Sequence, residues 1–439
     1  MRIQASSGIV LLVCAVGAMV WANSPWKGSY HRLWHTHLGL QIGGRHVETT
    51  LHFVINDLLM AVFFFVVGLE IRRELDHGEL SEWRRALLPA AAAVGGMVAP
   101  AMLYLGFNHG TPTAGGWGVP MATDIAFAVG ILALLGKRVP AALRVLLLAL
   151  AIIDDIGAIL VIAVSYSSGG AYLTGLGAAV GGLLGVVALQ RVGARAPVLY
   201  LVPGCFVWYG FLHAGVHPTI AGVLLGLLTP VRSWFGEAGF LTEAQAAIEE
   251  FRTVAARRDH DEHHLLEALG RLKHARREAL PPVVRLEAAL NPWVAYGIMP
   301  LFALSNAGVT LDSVDLAGPG ALAIALGVGL GLLVGKPLGI VGLGFVVIKL
   351  GLCRMPRGVD HRGLLVVGLL GGIGFTMALF IGTLAFEDAS RLGVTKLAIL
   401  IASATAGVIG LVVGRVALAR RPGGDVALTV DEAERSTEF

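Results

Sequence analysis

Charge is the scarcest commodity in this 439-residue chain. Only 14% of its residues are Asp, Glu, Lys or Arg, against roughly 25% in an ordinary soluble domain. That shortfall excludes disordered and nucleic-acid-binding classes, and the lack of a Gly-X-Y period excludes collagen. Cysteine is nearly absent too: Cys14, Cys205 and Cys353 are odd in number, far apart and without CxxC or Cys/His spacing. Redox chemistry is therefore not indicated, and the three read better as small buried apolar residues. The net charge of +3 is too small to define a partner, so the placement of charges matters more than their sum.

What fills the chain is apolar: 56% hydrophobic residues and a mean hydropathy of +0.75. At about 20 residues per bilayer crossing, the apolar runs near 9–23, 52–71, 86–107, 115–135, 140–166, 171–190, 196–212, 215–229, 288–308, 320–348, 363–385 and 396–419 predict twelve transmembrane helices. The first run resembles a signal peptide in having Arg2 ahead of it and Ala22 near its end, but its length and Trp21 favour a span. Counted from a cytoplasmic N-terminus, 27 of the 33 lysines and arginines fall on the inner side and five on the outer, with Lys336 inside a span. This bias predicts that both termini are cytoplasmic.

Three polar features interrupt the spans. Residues 40–47, with Gly43-Gly44 at the centre, predict an external β-hairpin. Residues 233–284 predict a charged cytoplasmic helix or helix pair, whose His260, His263, His264 and His274 read as a solvated face rather than a zinc site. The acidic segment 421–439 predicts a disordered cytoplasmic tail. The expected division is thus spans one to eight in 1–232, an insertion in 233–284, spans nine to twelve in 285–420, and the tail.

Four charges stand where lipid should forbid them. Asp124, Asp154, Asp155 and Lys336 lie near mid-span, each costing about 2.5–3.5 kcal/mol at a helix centre. One structural salt bridge would account for two of them only. Asp154 and Asp155 diverge by about 100° on their helix, so one can meet a lysine while the other faces a cavity. Asp124 follows Gly115, Gly116, Gly118 and Pro120, and a second glycine-rich interruption runs from Gly368 through Gly374. One broken helix in each half, with charges between them, points to a repeat-built transporter with an ion site at the midplane. A hard monovalent cation and protons would compete for such carboxylates. An intramembrane aspartyl protease is a remote alternative, since no YD or GxGD motif supplies its second aspartate.

The motifs Asn56-Asp57 through Glu70, Ala122-Thr123-Asp124-Ile-Ala-Phe127, Ile153-Asp154-Asp155-Ile-Gly157, Gly335-Lys336-Pro337-Leu-Gly339 and Gly372-Ile-Gly374-Phe-Thr376 resemble, in order and spacing, those of the NhaA family of sodium/proton antiporters. The resemblance covers about 51–232 and 285–420. It implies an all-α membrane protein of twelve transmembrane helices with inverted repeats, whose fourth and eleventh spans are interrupted and cross. It further implies that Asp155 is the principal Na+ ligand with Asp124 and Thr123 nearby, that Asp154 pairs with Lys336, and that Asp124 and Lys336 face the broken-helix termini. Glu70, Arg73, Glu74 and Glu287 match the family's cytoplasmic pH-response cluster, and His217 matches another pH-linked position. Two family histidines of that cluster are Ala288 and Asn291 here.

The expected function is electrogenic exchange of cytoplasmic Na+, and also Li+, for external H+, regulated by pH. The alternative is another monovalent cation/proton exchanger. No enzyme activity and no cofactor are expected. The expected partners are the two ions, the lipid of a bacterial inner membrane and a second copy joined through the external hairpin, with no nucleic acid.

Overall fold

The computed structural model describes residues 2–42, 45–167, 172–233, 236–255, 262–356 and 358–418. The chain opens with α1 (Arg2–Ala22) and α2 (Lys27–Trp34), whose axes meet at 117°. A two-stranded antiparallel sheet follows, β1 (His37–Ile42) and β2 (Arg45–Thr50), in a register that sets Ile42 against Arg45 and His37 against Thr50. The hairpin is therefore longer than the 40–47 expected. Its Gly43-Gly44 turn lies outside the described residues, as does the tail after Leu418.

The membrane body consists of α3 (Leu51–His77), α4 (Trp83–Asn108), a 3-10 segment (Ala114–Met121) leading into α5 (Ile125–Leu134), α6 (Ala141–Ser165), α7 (Leu173–Arg191), α8 (Leu201–Ala214) and α9 (Thr219–Leu227). After the polar pair α10 (Gly236–Ala255) and α11 (Glu262–Ala279) come α12 (Pro282–Asn306), α13 (Ala321–Lys349), α14 (His361–Gly371), α15 (Phe375–Ala385) and α16 (Ala389–Ala417). Among the described residues, nine helices are long and apolar enough to cross a membrane, or up to eleven when each of two bent pairs counts as one span.

The eighth apolar run falls furthest short of its expected length. Gly215, at φ 76°, ends α8, and Pro218 starts α9, which then runs for only nine residues. At 1.5 Å per residue that is about 13.5 Å, under half of the hydrocarbon thickness. The short helix is held by backbone proximity: a Cβ on Gly222 would collide with the Ala61 carbonyl of α3, and one on Gly226 would lie 2.6 Å from the Phe65 carbonyl. Helices in lipid gain little from the hydrophobic effect, so glycine faces that bring two backbones into van der Waals contact supply the attraction.

The same device joins α4 to α13, where Gly95 and Gly339 meet backbone to backbone. Gly339 lies one turn beyond Lys336, so this contact fixes where the lysine enters the body. Three helices carry π-helical turns, at Val54–Leu59, Val294–Ile298 and Gly331–Gly335, the last ending directly before Lys336. Such turns leave backbone groups free to be re-aimed.

One boundary shifts for a local reason. The final span begins at Ala389 rather than 396, because Asp388 caps it by accepting from Arg391 N at 2.9 Å. Lys396 consequently stands two turns inside a helix rather than in an outer loop. Within the insertion, α10 and α11 pack together through Ala244, Ala247 and Ala275, with Arg271 and Glu250 paired at 3.2 Å. Outside the spans, Lys27 of α2 meets Asp312 at 2.9 Å and, by hydrogen bond and charge, holds that carboxyl below its ordinary range.

Replacing Gly222 by Val forces α9 off α3. The expected cost is about 1–3 kcal/mol, read as a lower melting temperature of the detergent-solubilised protein, whereas Gly177→Val, where a Cβ meets open space, should leave the melting temperature unchanged.

Candidate functional site: two chain breaks around four buried charges

The site forms where two helices stop. Pro120 and three glycines deny the 114–121 stretch a regular α-helix, and Ala122, Thr123 and Asp124 follow without helical structure before α5 begins. In the second half, α14 and α15 are separated by Gly372, Ile373 and Gly374 and bent by 43°. The two breaks touch: Asp124 N donates to the Ile373 carbonyl at 2.7 Å, and Thr123 Oγ1 lies 3.0 Å from the Gly371 carbonyl. Each unwound strand thus satisfies backbone groups of the other, as hydrocarbon requires.

Asp124 caps both broken halves at once. Its Oδ1 accepts from Phe127 N at 2.9 Å, closing the N-terminus of α5. Its Oδ2 accepts from Thr376 N at 3.1 Å and from the Thr376 hydroxyl at 2.5 Å, closing the N-terminus of α15. A negative charge at two helix N-termini is favoured by both dipoles. Lys336 does the complementary work, donating to the Met121 carbonyl at the C-terminal end of the 3-10 segment. Its Nζ also lies 2.6 Å from Asp154 Oδ2, with both side chains fully buried.

The adjacent aspartates on α6 have different surroundings. Asp154 Oδ2 is held by Lys336 and by the Thr123 hydroxyl at 2.5 Å, while Asp154 Oδ1 has no hydrogen-bond partner. Asp155 is 2% exposed, its Oδ1 has no partner, and it stands within Coulomb range of Asp154, Glu70, Asp124 and Lys336. A buried carboxylate oxygen with nothing to accept from is costly, and a hard cation or a proton would relieve it. The structure thus brings Asp124, Asp154, Asp155, Lys336 and Thr123 together. It turns the Thr123 hydroxyl toward Asp154 and the Asp124 oxygens toward helix ends, leaving free capacity at Asp155 Oδ1 and at Asp154 Oδ1.

Toward the C-terminal end of α3, Arg73 bridges Glu287 of α12 at 2.6 Å and Glu74 at 3.1 Å, and Glu70 lies within Coulomb range of all three. Glu287 Oε2 is buried without a partner. Ala288 and Asn291 follow Glu287 on α12, so neither position adds a histidine to this cluster of carboxylates and an arginine. His217 is not among them: it lies at the opposite end of the body, 3.8 Å from Asp57 Oδ1. Among the described residues, no group of three or more His, Cys, Asp or Glu is arranged to hold a metal ion.

Sequence reasoning assigned no role to Thr376, although it is the closest partner of Asp124; a hydroxyl directly after a glycine break was the available signal. Ser403, which accepts from Phe375 N at 3.0 Å, and the Met121 and Ile373 carbonyls carried no signal of their own.

A family model described as Na+/H+ antiporter 1 matches residues 1–413. The Na+/H+ antiporter NhaA 2 of Sorangium cellulosum is 61% identical over 439 residues, covering 100% of this chain and 93% of that protein. The Na+/H+ antiporter NhaA 2 of Myxococcus xanthus is 56% identical, covering 100% and 92%. The Na+/H+ antiporter NhaA of Janthinobacterium is 51% identical, covering 94% and 91%.

Removing one member of the Lys336–Asp154 pair strands the other. Lys336→Met alone is expected to cost about 3–5 kcal/mol, and the double variant Lys336→Met with Asp154→Asn distinctly less. Thermal melting in detergent measures both, and equal losses would show that the two side chains do not depend on each other.

Proposed function

The chain belongs to the Na+/H+ antiporter NhaA family, and on that premise we propose that it carries out electrogenic exchange at Asp155. It is a multi-pass bacterial membrane transporter, not an enzyme, and Na+ and H+ are its transported ions. The observation that carries the proposal is the buried Asp155 carboxylate with an unpartnered oxygen, placed beside an ion pair and two crossed chain breaks.

Three ionised aspartates and one ammonium leave two net negative charges in a protein-enclosed space, and desolvation makes that state costly. Na+ or protons must neutralise it. Asp155 is the primary Na+ ligand, with Thr123 and Asp124 completing an oxygen shell as the breaks rearrange, and Li+ fits the same hard-ligand chemistry. Exchange follows if the empty, doubly charged site cannot reorient. Asp155 and the Asp154–Lys336 pair then together take up more than one proton for each Na+ released. The membrane potential contributes about 2.3 kcal/mol per net charge per 100 mV, which lets Na+ be expelled against an alkaline exterior. No cofactor enters this cycle.

Counting the nine-residue α9 as a span gives twelve, with the 114–134 stretch as the fourth and α14–α15 as the eleventh, interrupted, crossing helices. The inside excess of lysine and arginine supports a plasma-membrane orientation with cytoplasmic termini. The cluster of Glu70, Arg73, Glu74 and Glu287 near the inner end supports a pH-response role. Residues 233–284 form a cytoplasmic insertion between spans one to eight and nine to twelve. The β1–β2 hairpin is too small to stand alone and has unpaired edges, which supports a homodimer through it.

Two outcomes test the mechanism in everted vesicles carrying a pH-sensitive dye. Asp155→Asn should abolish Na+-driven dequenching while the protein remains inserted. In the unaltered protein, protons compete with Na+, so the half-saturating Na+ concentration should rise as pH falls, by about tenfold per unit for each competing proton. A half-saturation value indifferent to pH would rule out competition at a shared site, and equal exchange with K+ would favour a broader monovalent-cation exchanger.

A further inference from the structure

Two tyrosine hydroxyls tie down the outer half of the broken fourth span, and neither belongs to the exchange site. At the start of the 3-10 segment, Tyr104 of α4 donates to the Thr113 carbonyl at 2.7 Å. The Thr113 hydroxyl donates in turn to Asn108 Oδ1 at 2.7 Å, and Asn108 Nδ2 donates to the Ala323 carbonyl of α13 at 2.9 Å. Tyr104 and Asn108 are fully buried, so breaking these bonds would strand polar groups without partners. This end of the segment is an anchor.

The second tie is of a different kind. Tyr166 follows the last residue of α6, and its hydroxyl donates to the Gly115 carbonyl at 2.8 Å while accepting from the Gly118 N–H at 3.2 Å. Positions 115 and 118 are the pair that an i→i+3 turn joins directly. When the hydroxyl withdraws, the two backbone groups can satisfy each other, and the partly exposed phenol can turn to water. Hydrogen bonds are kept in both arrangements, as a contact made and broken in every cycle requires.

The contact is tight and continuous with the exchange site. A Cβ on Gly118 would lie 2.8 Å from the Tyr166 hydroxyl and 3.1 Å from Val161 Cγ1 of α6, and one on Gly116 would meet the Tyr104 hydroxyl and the Phe386 ring. Phe386, which follows α15, is buried. Tyr166 ends the helix that carries Asp154 and Asp155, and the segment it holds leads into Thr123, whose hydroxyl is bonded to Asp154. The fourth span and α6 are thus bonded at two levels, the midplane and the outer end.

We propose that Tyr166 is a positioning residue for the exchange: its hydroxyl is a releasable clasp that holds the outer half of the fourth span on α6 and keeps the external side shut. The clasp gives way when the span pivots about its Tyr104 anchor to open that side. The proposal rests on the Na+/H+ exchange and the membrane orientation given above. Losing the clasp shifts the balance between the two arrangements, so the apparent affinities at the two faces move in opposite directions.

That opposition separates the role from a structural one. In proteoliposomes of one orientation, the half-saturating Na+ is measured at each face. Tyr166→Phe should lower the external value and raise the cytoplasmic one, changing their ratio about fivefold or more, the factor that one net hydrogen bond carries. Gly118→Ala, which pushes the segment off the hydroxyl, should shift the ratio in the same sense, and the double variant should shift it no further. Tyr104→Phe removes a hydroxyl from the same segment and should lower the melting temperature with the ratio unchanged. An unmoved ratio in Tyr166→Phe, equal shifts at both faces, or the same change of ratio in Tyr104→Phe overturns the proposal. Absence of Na+/H+ exchange in the unaltered protein would instead overturn the exchange mechanism, leaving the two failures distinguishable.

Discussion

A single carboxylate, Asp124, closes the N-termini of two half-helices from opposite halves of the chain, and the rest of the site depends on that shared cap. Without it, the two breaks would expose peptide groups in hydrocarbon, at several kcal/mol for each unsatisfied group. With it, the unwound strands cross in contact and the Thr123 hydroxyl is fixed between Gly371 and Asp154. Lys336 reaches the carbonyl end of the 3-10 segment. The charges are thus part of how the backbone survives in lipid, and the same arrangement leaves the adjacent Asp154 and Asp155 each with an oxygen that has no donor.

The arrangement also divides labour between neighbours that sequence places side by side. Asp154 is held by an ammonium and a hydroxyl, whereas Asp155, one residue on, points elsewhere and faces mostly other carboxylates. The helical twist between consecutive residues does this with no other device. A proton or cation at Asp155 is felt by the Asp154–Lys336 pair one residue away on α6, so occupancy and pairing are linked in one charge cluster.

Much of this was legible in the sequence because lipid is a severe solvent. Mid-span aspartates and a lysine stand out against apolar runs, and glycine and proline at matching places in the two halves mark where helix cannot continue. The resemblance to the family was carried by motifs that include all four of the mid-span charges. What stayed hidden depended on distance across the fold. The 376 hydroxyl, the 373 carbonyl and the pairing of Asn56 with Asn306 are ordinary residues until the two halves are brought together. The length of α9 was misjudged because apolar composition ran on through Gly215 and Pro218, whose backbone preferences end one helix and begin another. The last helix started early because a capping aspartate outweighed the charges that follow it.

The brevity of α9 brings its polar flanks close together. Its ends, at Thr219 and Leu227, are about 13.5 Å apart, while lipid elsewhere keeps two aqueous phases about 30 Å apart. His217 and Thr229, the polar residues that flank this helix, are accordingly closer together than the two ends of the 27-residue α3 against which it packs.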